Sequence, residues 1–392
     1  MFDITKMVKI MAVKVYKIYD SRASETVLAT YNNLVFAQSP SGKSVGTYEV
    51  PVAPEGVDKA VLFAQKKVIP KLDFGINQKD FDSELEKLCG ENFSKSGSAV
   101  SVALSILNLR ISAYDKKKSV YELYNKNPKK EDLPCLLSNT IGGGLHTQNK
   151  MPIQEILGTS KQNDFSKRVK DGIQFYKSVE KNLNDKKIFF GKNDEGAIAF
   201  NGDYKESLDI ALKSRPNNFE LGVDFASNSY YKNGKYFFGN KKMNERKYLK
   251  FIESVIEKYK LFFVEDPVTE NSFEASAELV DKFGKEKIIC GDDLFVTNVE
   301  RLKEGIKNKS ANGIIIKPNQ IGCLSKTKEV VDLAKSKGIT PVISHRSGET
   351  CDTTIAQLAV GWKIPYLKES LMNGERISKI NELTMIYNDL SK

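Results

Sequence analysis

The chain has 392 residues, 40% of them hydrophobic and 28% charged, with 60 Lys and Arg against 50 Asp and Glu for a net charge of +10. That apolar content excludes a disordered chain, the length excludes a disulfide-stapled miniature, and no stretch reaches the roughly 18–20 uninterrupted apolar residues of a membrane span. At about 150 residues per domain, the length fits two or three domains, or a small domain beside a large barrel.

The start, Met1-Phe2-Asp3-Ile4-Thr5-Lys6, lacks the basic-then-apolar layout of a signal peptide, so a cytoplasmic protein with no membrane partner is expected. Residues 1–10 read as an N-terminal extension. From Val13 to Val35 apolar and polar residues alternate around a turn signal at Asp20-Ser21-Arg22, and a Gly/Ser-rich loop follows over Ser39–Gly46. The period becomes helical over Asp58–Leu72 and Asp80–Leu88, and Ser98–Tyr114 predicts a long amphipathic helix. Strands followed by helices predict a smaller α+β domain over residues 11–127. Pro128 and the charges of Asn125–Asp132 mark the linker to a second domain over residues 128–392.

Beyond the linker, six strand-length apolar runs end at Asp224, Glu265, Asp292, Lys317, His345 and Lys368, at intervals of 41, 27, 25, 28 and 23 residues. About 25 residues is one strand, one helix and two short loops. The long first interval is filled by Ser227–Asn244, rich in Asn, Gly, Tyr and Lys, which reads as a loop. Asn298 is placed to cap the helix carrying Leu302 and Ile306, and Gly338 to close the one carrying Val330 and Val331. Repeated units with continuous apolar strands predict a parallel sheet closed into a βα (TIM-like) barrel, with an open doubly wound sheet as the alternative.

In a barrel the polar strand ends gather on one rim. Asp224, Glu265 and Asp292 together repel one another unless a cation sits among them, and all-oxygen ligation points to Mg²⁺ or Mn²⁺. A lysine at the same rim, Lys317, has the chemistry of a base whose pKa a nearby cation and partial desolvation would lower. A metal cluster with a Lys base suits abstraction of a proton beside a carboxylate. The only two histidines, His146 and His345, both lie in polar, glycine-flanked loops, and Arg346 with Ser347 and Gly348 forms a plausible phosphate cradle. Ser41-Gly42-Lys43-Ser44 looks like the end of a phosphate-binding loop of nucleotide enzymes, but the first glycine position holds Ala37, so a mobile lid supplying a hydroxyl is the better reading. The basic residues are scattered among acids as on a solvated surface, which argues against nucleic acid as an obligate partner. Five cysteines without a CxxC pair fit reduced thiols.

These residues resemble the enolases. The likeness runs from about Val13 to Leu390 and is most specific in SHRSGET (Ser344–Thr350), with YDSR (Tyr19–Arg22), IQE (Ile153–Glu155), VDFAS (Val223–Ser227), VEDP (Val264–Pro267), GDDLFVTN (Gly291–Asn298) and KPNQIG (Lys317–Gly322) beside it. The resemblance implies a two-domain α+β and α/β-barrel fold, and reversible dehydration of 2-phosphoglycerate to phosphoenolpyruvate. It implies two Mg²⁺ ions per active site and a homodimer. Asp224, Glu265 and Asp292 correspond to ligands of the first Mg²⁺, and Ser44 to a ligand of the second. Lys317 corresponds to the base and Glu195 to the acid, with Glu155 and Gln154 beside it. Lys368 corresponds to the lysine facing the substrate carboxylate, Arg346 and Ser347 to a phosphate clamp, and His345 and His146 to substrate neighbours. An enolase-like paralogue that has lost catalysis and serves as a binding protein is the alternative. The chain departs from the family pattern at Lys43, where a small residue is usual. It departs again after Glu195, where a second glycine and a proline are missing, and over Glu369–Gly374, which is one residue short.

Overall fold

The computed structural model describes residues 13–42, 48–147 and 151–392. The expected extension over residues 1–10, and Lys43 and Ser44 of the first lid, lie outside these.

The alternation at the start forms an antiparallel meander of β1 (Val13–Tyr19), β2 (Glu25–Tyr31) and β3 (Val35–Gln38). Helices α1 (Val57–Phe63), α2 (Gln78–Cys89), α3 (Gly97–Asp115) and α4 (Val120–Tyr124) follow. Sequence periodicity gave α3 one apolar face; instead every residue from Gly97 to Leu109 is buried. The helix packs on β2, β3 and α2 and meets the barrel on its remaining side, where Ser105 Oγ accepts the Leu324 N–H at 3.0 Å. Small polar residues such as Ser98, Ser101 and Ser105 let it be covered all round. Gly322 lies at the same seam with φ +90°, and a Cβ there would stand 2.4 Å from the Phe93 ring, so this turn of the barrel meets the first domain only as glycine.

The second part begins with β4 (Cys135–Gly142), β5 (Glu155–Ser160), α5 (Phe165–Asp185), the hairpin β6 (Phe190–Lys192) and β7 (Ile198–Phe200), and α6 (Tyr204–Ser214). Then β8 (Phe219–Asp224) leads into β9 (Tyr231–Lys232), β10 (Lys235–Phe238) and β11 (Lys241–Met243). These last three form a small sheet of their own where the sequence read as loop, and they bury Tyr236 and Phe238 against α7 (Glu245–Tyr259). Strand and helix then alternate through β12 (Phe263–Glu265), α8 (Phe273–Phe283), β13 (Ile288–Gly291), α9 (Val299–Asn308) and β14 (Gly313–Ile316). After the short α10 (Pro318–Ile321) come α11 (Leu324–Ser336), β15 (Thr340–Ser344), α12 (Thr354–Gly361), β16 (Tyr366–Ser370) and α13 (Gly374–Asp389).

Strand β16 pairs with β4, so the sheet closes into an eight-stranded barrel of β4, β5, β8, β12, β13, β14, β15 and β16, and the open-sheet alternative is excluded. The barrel is not wholly parallel as expected: β5 runs antiparallel to both β4 and β8. Leu137, Leu157, Phe263, Cys290, Ile315 and Val342, from six different strands, pack together inside it, while Ile314 and Ile316 face the outer helices. No helix among the described residues is long and apolar enough to cross a membrane.

Helix ends follow the sequence signals. The Asn298 side chain accepts the N–H groups of Glu300 at 2.9 Å and Arg301 at 3.2 Å, and Gly338 has φ +70° just beyond α11. Asn298→Ala should therefore cost about 1 kcal/mol, read as a lower urea midpoint at unchanged slope; an unchanged midpoint would mean the cap contributes nothing.

Candidate active site

Period-two alternation aims the polar residues at the rim. Each lies two residues from an inward-facing apolar one: Asn139 after Leu137, Glu265 after Phe263, Asp292 after Cys290 and Lys317 after Ile315. Asp224 in β8 stands in register with Glu265, and Lys368 in β16 with Ser344. Glu155 comes two residues before Leu157, at the start of its strand, and reaches the same rim because β5 runs the other way. The resulting cavity has a volume of about 280 Å³. It is lined by Gln154, Glu155, Glu195, Asp224, Asp292, Lys317, His345, Arg346, Ser347, Lys368 and His146, and Glu265 is buried just beneath.

Two lysines organise its acids. Lys368 Nζ sits 2.6 Å from Glu155, 3.1 Å from Asp224 and 2.8 Å from Glu265. Lys317 Nζ contacts Asp292, whose other oxygen accepts from Gln320 at 3.1 Å. Gln154 donates to Asp224 at 3.1 Å. Burial and the neighbouring Asp224 push the Glu265 carboxyl well above the usual range, and burial pushes Asp224 up as well. Burial alone would lower Lys317, but its contact with Asp292 outweighs that and holds it raised. The lowered lysine expected from the sequence belongs to a site whose carboxylates are claimed by a cation; here Asp292 faces Lys317 directly.

The donor set fits a hard divalent cation: Asp224, Glu265 and Asp292 supply only oxygen, and the Lys368 ammonium among the first two shows that these oxygens take positive charge. Asp266, which the sequence did not single out, accepts the N–H groups of Asp292 at 2.9 Å and Asp293 at 2.8 Å and so fixes the loop carrying Asp292.

On the opposite side, Asn139 donates to both Glu155 and Glu195, at 2.8 and 2.9 Å, and holds the two carboxyls together. Their environments push them apart. Burial opposes ionisation of Glu155, yet Lys368 and His345 hold it well below the usual range; burial, with Glu155 beside it, raises Glu195 against the pull of His146. Glu155 is the one held as a carboxylate and Glu195 the one that takes a proton more readily, the division of roles that acid–base chemistry uses. His146 Nδ1 lies 3.1 Å from Asp194 and its Nε2 3.6 Å from Glu195. Arg22, of the YDSR turn in the first domain, pairs with Asp194 at 3.0 Å.

Arg346 is buried at the cavity wall, where it donates to Glu49 at 2.9 Å and Asn319 at 3.1 Å, and Ser347 lines the cavity next to it. Glu49, Asn139, Asp194 and Asp266 were missed in the sequence. Asp266 sits inside VEDP and so had a signal; Asn139, in a strand the sequence did not reveal, Glu49 and Asp194 had none.

Two family models cover nearly the whole chain: the enolase N-terminal domain over residues 10–124 and the enolase C-terminal TIM barrel domain over residues 130–392. Curated relatives named enolase include those of Methanosphaera stadtmanae, 38% identical over 96% of this chain and 96% of the relative, and of Natronomonas pharaonis, 36% identical over 97% and 99%. The enolase of Halobacterium salinarum is 35% identical over 98% of this chain and 100% of its own length. The chain belongs to the enolase family.

Proposed function

We propose that the protein is a Mg²⁺-dependent phosphopyruvate hydratase, interconverting 2-phosphoglycerate and phosphoenolpyruvate in the cytoplasm as a homodimer, with residues 11–127 and 128–392 as its two domains. The observation that carries this reading is the placement of a lysine, Lys317, and an acid pair, Glu155 and Glu195, around one cavity that also holds Arg346 and Ser347. Lys317 removes the C2 proton. Glu195, whose hold on a proton burial strengthens, delivers a proton to the departing C3 hydroxyl, with Glu155 and Asn139 holding it in place. Lys368 faces the substrate carboxylate, where negative charge accumulates after C2 loses its proton; fixed charge of this kind is usually the largest catalytic contribution. Arg346 and Ser347 hold the phosphate, while His345, His146 and Gln154 line the remaining wall. Asp224, Glu265 and Asp292 would hold one Mg²⁺ and, by the resemblance, Ser44 would contribute to a second; bound there, the ions would supply charge neutralisation at the substrate carboxylate.

The phosphate clamp separates this reading from other proton-abstracting enzymes with similar carboxylates. With Mg²⁺ present, 2-phosphoglycerate should be dehydrated while unphosphorylated glycerate is not. Comparable turnover of glycerate would reject the assignment of Arg346 and Ser347. Salt-dependent nucleic-acid binding without any dehydration would instead select a non-catalytic binding protein.

A further inference from the structure

Strand parity separates two neighbouring residues of β16. Lys368 turns inward to the cavity, and Glu369 turns outward into the space between the ends of β15 and β16 and helix α13, where it is buried. There its Oε1 lies 2.6 Å from His345 Nδ1 and accepts the Ser370 N–H at 3.1 Å, while its Oε2 has no hydrogen-bond partner among the described residues. The segment Glu369–Gly374 is one of those that depart from the family pattern.

Two groups compete for His345 Nδ1. Arg376 Nη1, fully buried in α13, stands 3.0 Å away and would donate to a bare nitrogen. A bare nitrogen, however, would set its lone pair against a carboxylate lone pair at 2.6 Å, which is repulsive unless a proton lies between them. Arg376 has other acceptors for its hydrogens in the carbonyls of Arg346 and Ser347, the latter at 2.7 Å. On the cavity side His345 Nε2 faces Glu155 at 3.9 Å, with Glu195 beyond it.

We propose that Glu369 is a positioning residue that clamps His345 as an imidazolium through Nδ1, so that a fixed N–H donor and positive charge face the anionic substrate from Nε2. This rests on the phosphopyruvate hydratase reading for its role, though not for its chemistry. Burial and Arg376 oppose the charge, but Glu369 and Glu155 outweigh them and raise His345 to about 9. His345 then serves as a constant cation across neutral pH and does not titrate during turnover.

With only two histidines in the chain, ¹⁵N-histidine NMR of a His146→Asn background reads His345 alone. The clamp predicts that both ring nitrogens stay protonated up to about pH 8. Glu369→Gln keeps an acceptor but removes the anion, which disfavours the charged ring, so the midpoint should fall by more than about one pH unit. Glu369→Asp should restore most of that shift. In otherwise unaltered enzyme, Glu369→Gln should add an alkaline loss of kcat/KM at the same midpoint. A neutral ring in the Glu369-containing protein at pH 7, in either tautomer, would overturn the proposal, as would a midpoint unmoved by Glu369→Gln. The first result needs no Glu369 variant to fold. A protonated His345 in a protein inactive on 2-phosphoglycerate would leave the clamp standing and reject only the reaction.

Discussion

Replacing Lys317 by alanine should lower the rate of 2-phosphoglycerate dehydration by about 10²–10⁴-fold, the usual worth of a positioned general base. The argument is one of place: Lys317 directly follows β14 at the cavity, and its backbone N–H is anchored on Thr297 Oγ1 at 2.9 Å. Only the neutral amine can take the C2 proton, so Lys317 must first give up a proton and its contact with Asp292, which favours the ammonium. Glu195→Gln should give an equally deep loss of dehydration by a different route. In D₂O it should still exchange the C2 hydrogen of 2-phosphoglycerate, since Lys317 is intact and only departure of the C3 hydroxyl is blocked. Lys317→Ala should lose exchange and dehydration together. Exchange surviving in Lys317→Ala at the unmutated rate would assign the base elsewhere.

The second large effect concerns stability. Arg376 is fully buried, donates to the Ser347 carbonyl at 2.7 Å, and has Glu375 at 3.4 Å and Glu369 at 3.9 Å from its Nε. Arg376→Ala would strand two carbonyls and take the guanidinium away from Glu375 and the buried Glu369, and removing one partner of a buried ion pair typically costs about 3–5 kcal/mol. Equilibrium denaturation should show a loss of that order. A loss below about 1 kcal/mol would mean that water or a neighbouring group replaces the guanidinium without strain. Since α13 closes over the loop that carries Arg346 and Ser347, the variant should also weaken substrate binding.

The parallel units were legible because a buried strand and its amphipathic helix write a repeat of about 25 residues, with the polar residue at each strand end marking the rim. Asp224, Glu265, Asp292, Lys317 and Lys368 were found that way, before any family likeness was invoked. Strands β4 and β5 were not, because β4 carries Ser138, Asn139 and Thr140 in its middle and β5 presents its functional residue first. Only the reversed direction of β5 brings Glu155 to the rim. The small sheet of β9–β11 was taken for loop because its strands are two to four residues long, too short for any period to show. Glu369 was hidden for a different reason. A charged residue beside a strand-end lysine reads as solvated, and only the packing of α13 on the outer wall turns it into a buried partner of His345.

The central claim is that this cavity dehydrates 2-phosphoglycerate with Mg²⁺ bound. The most direct test is the ultraviolet absorbance of phosphoenolpyruvate formed from 2-phosphoglycerate by the full chain while Mg²⁺ is titrated into protein stripped with a chelator. The account predicts no product without the metal, a rate that rises and saturates with Mg²⁺, and loss of that rate in Lys317→Ala. A folded, Mg²⁺-loaded protein that forms no phosphoenolpyruvate, or one equally active after Lys317→Ala, would contradict it.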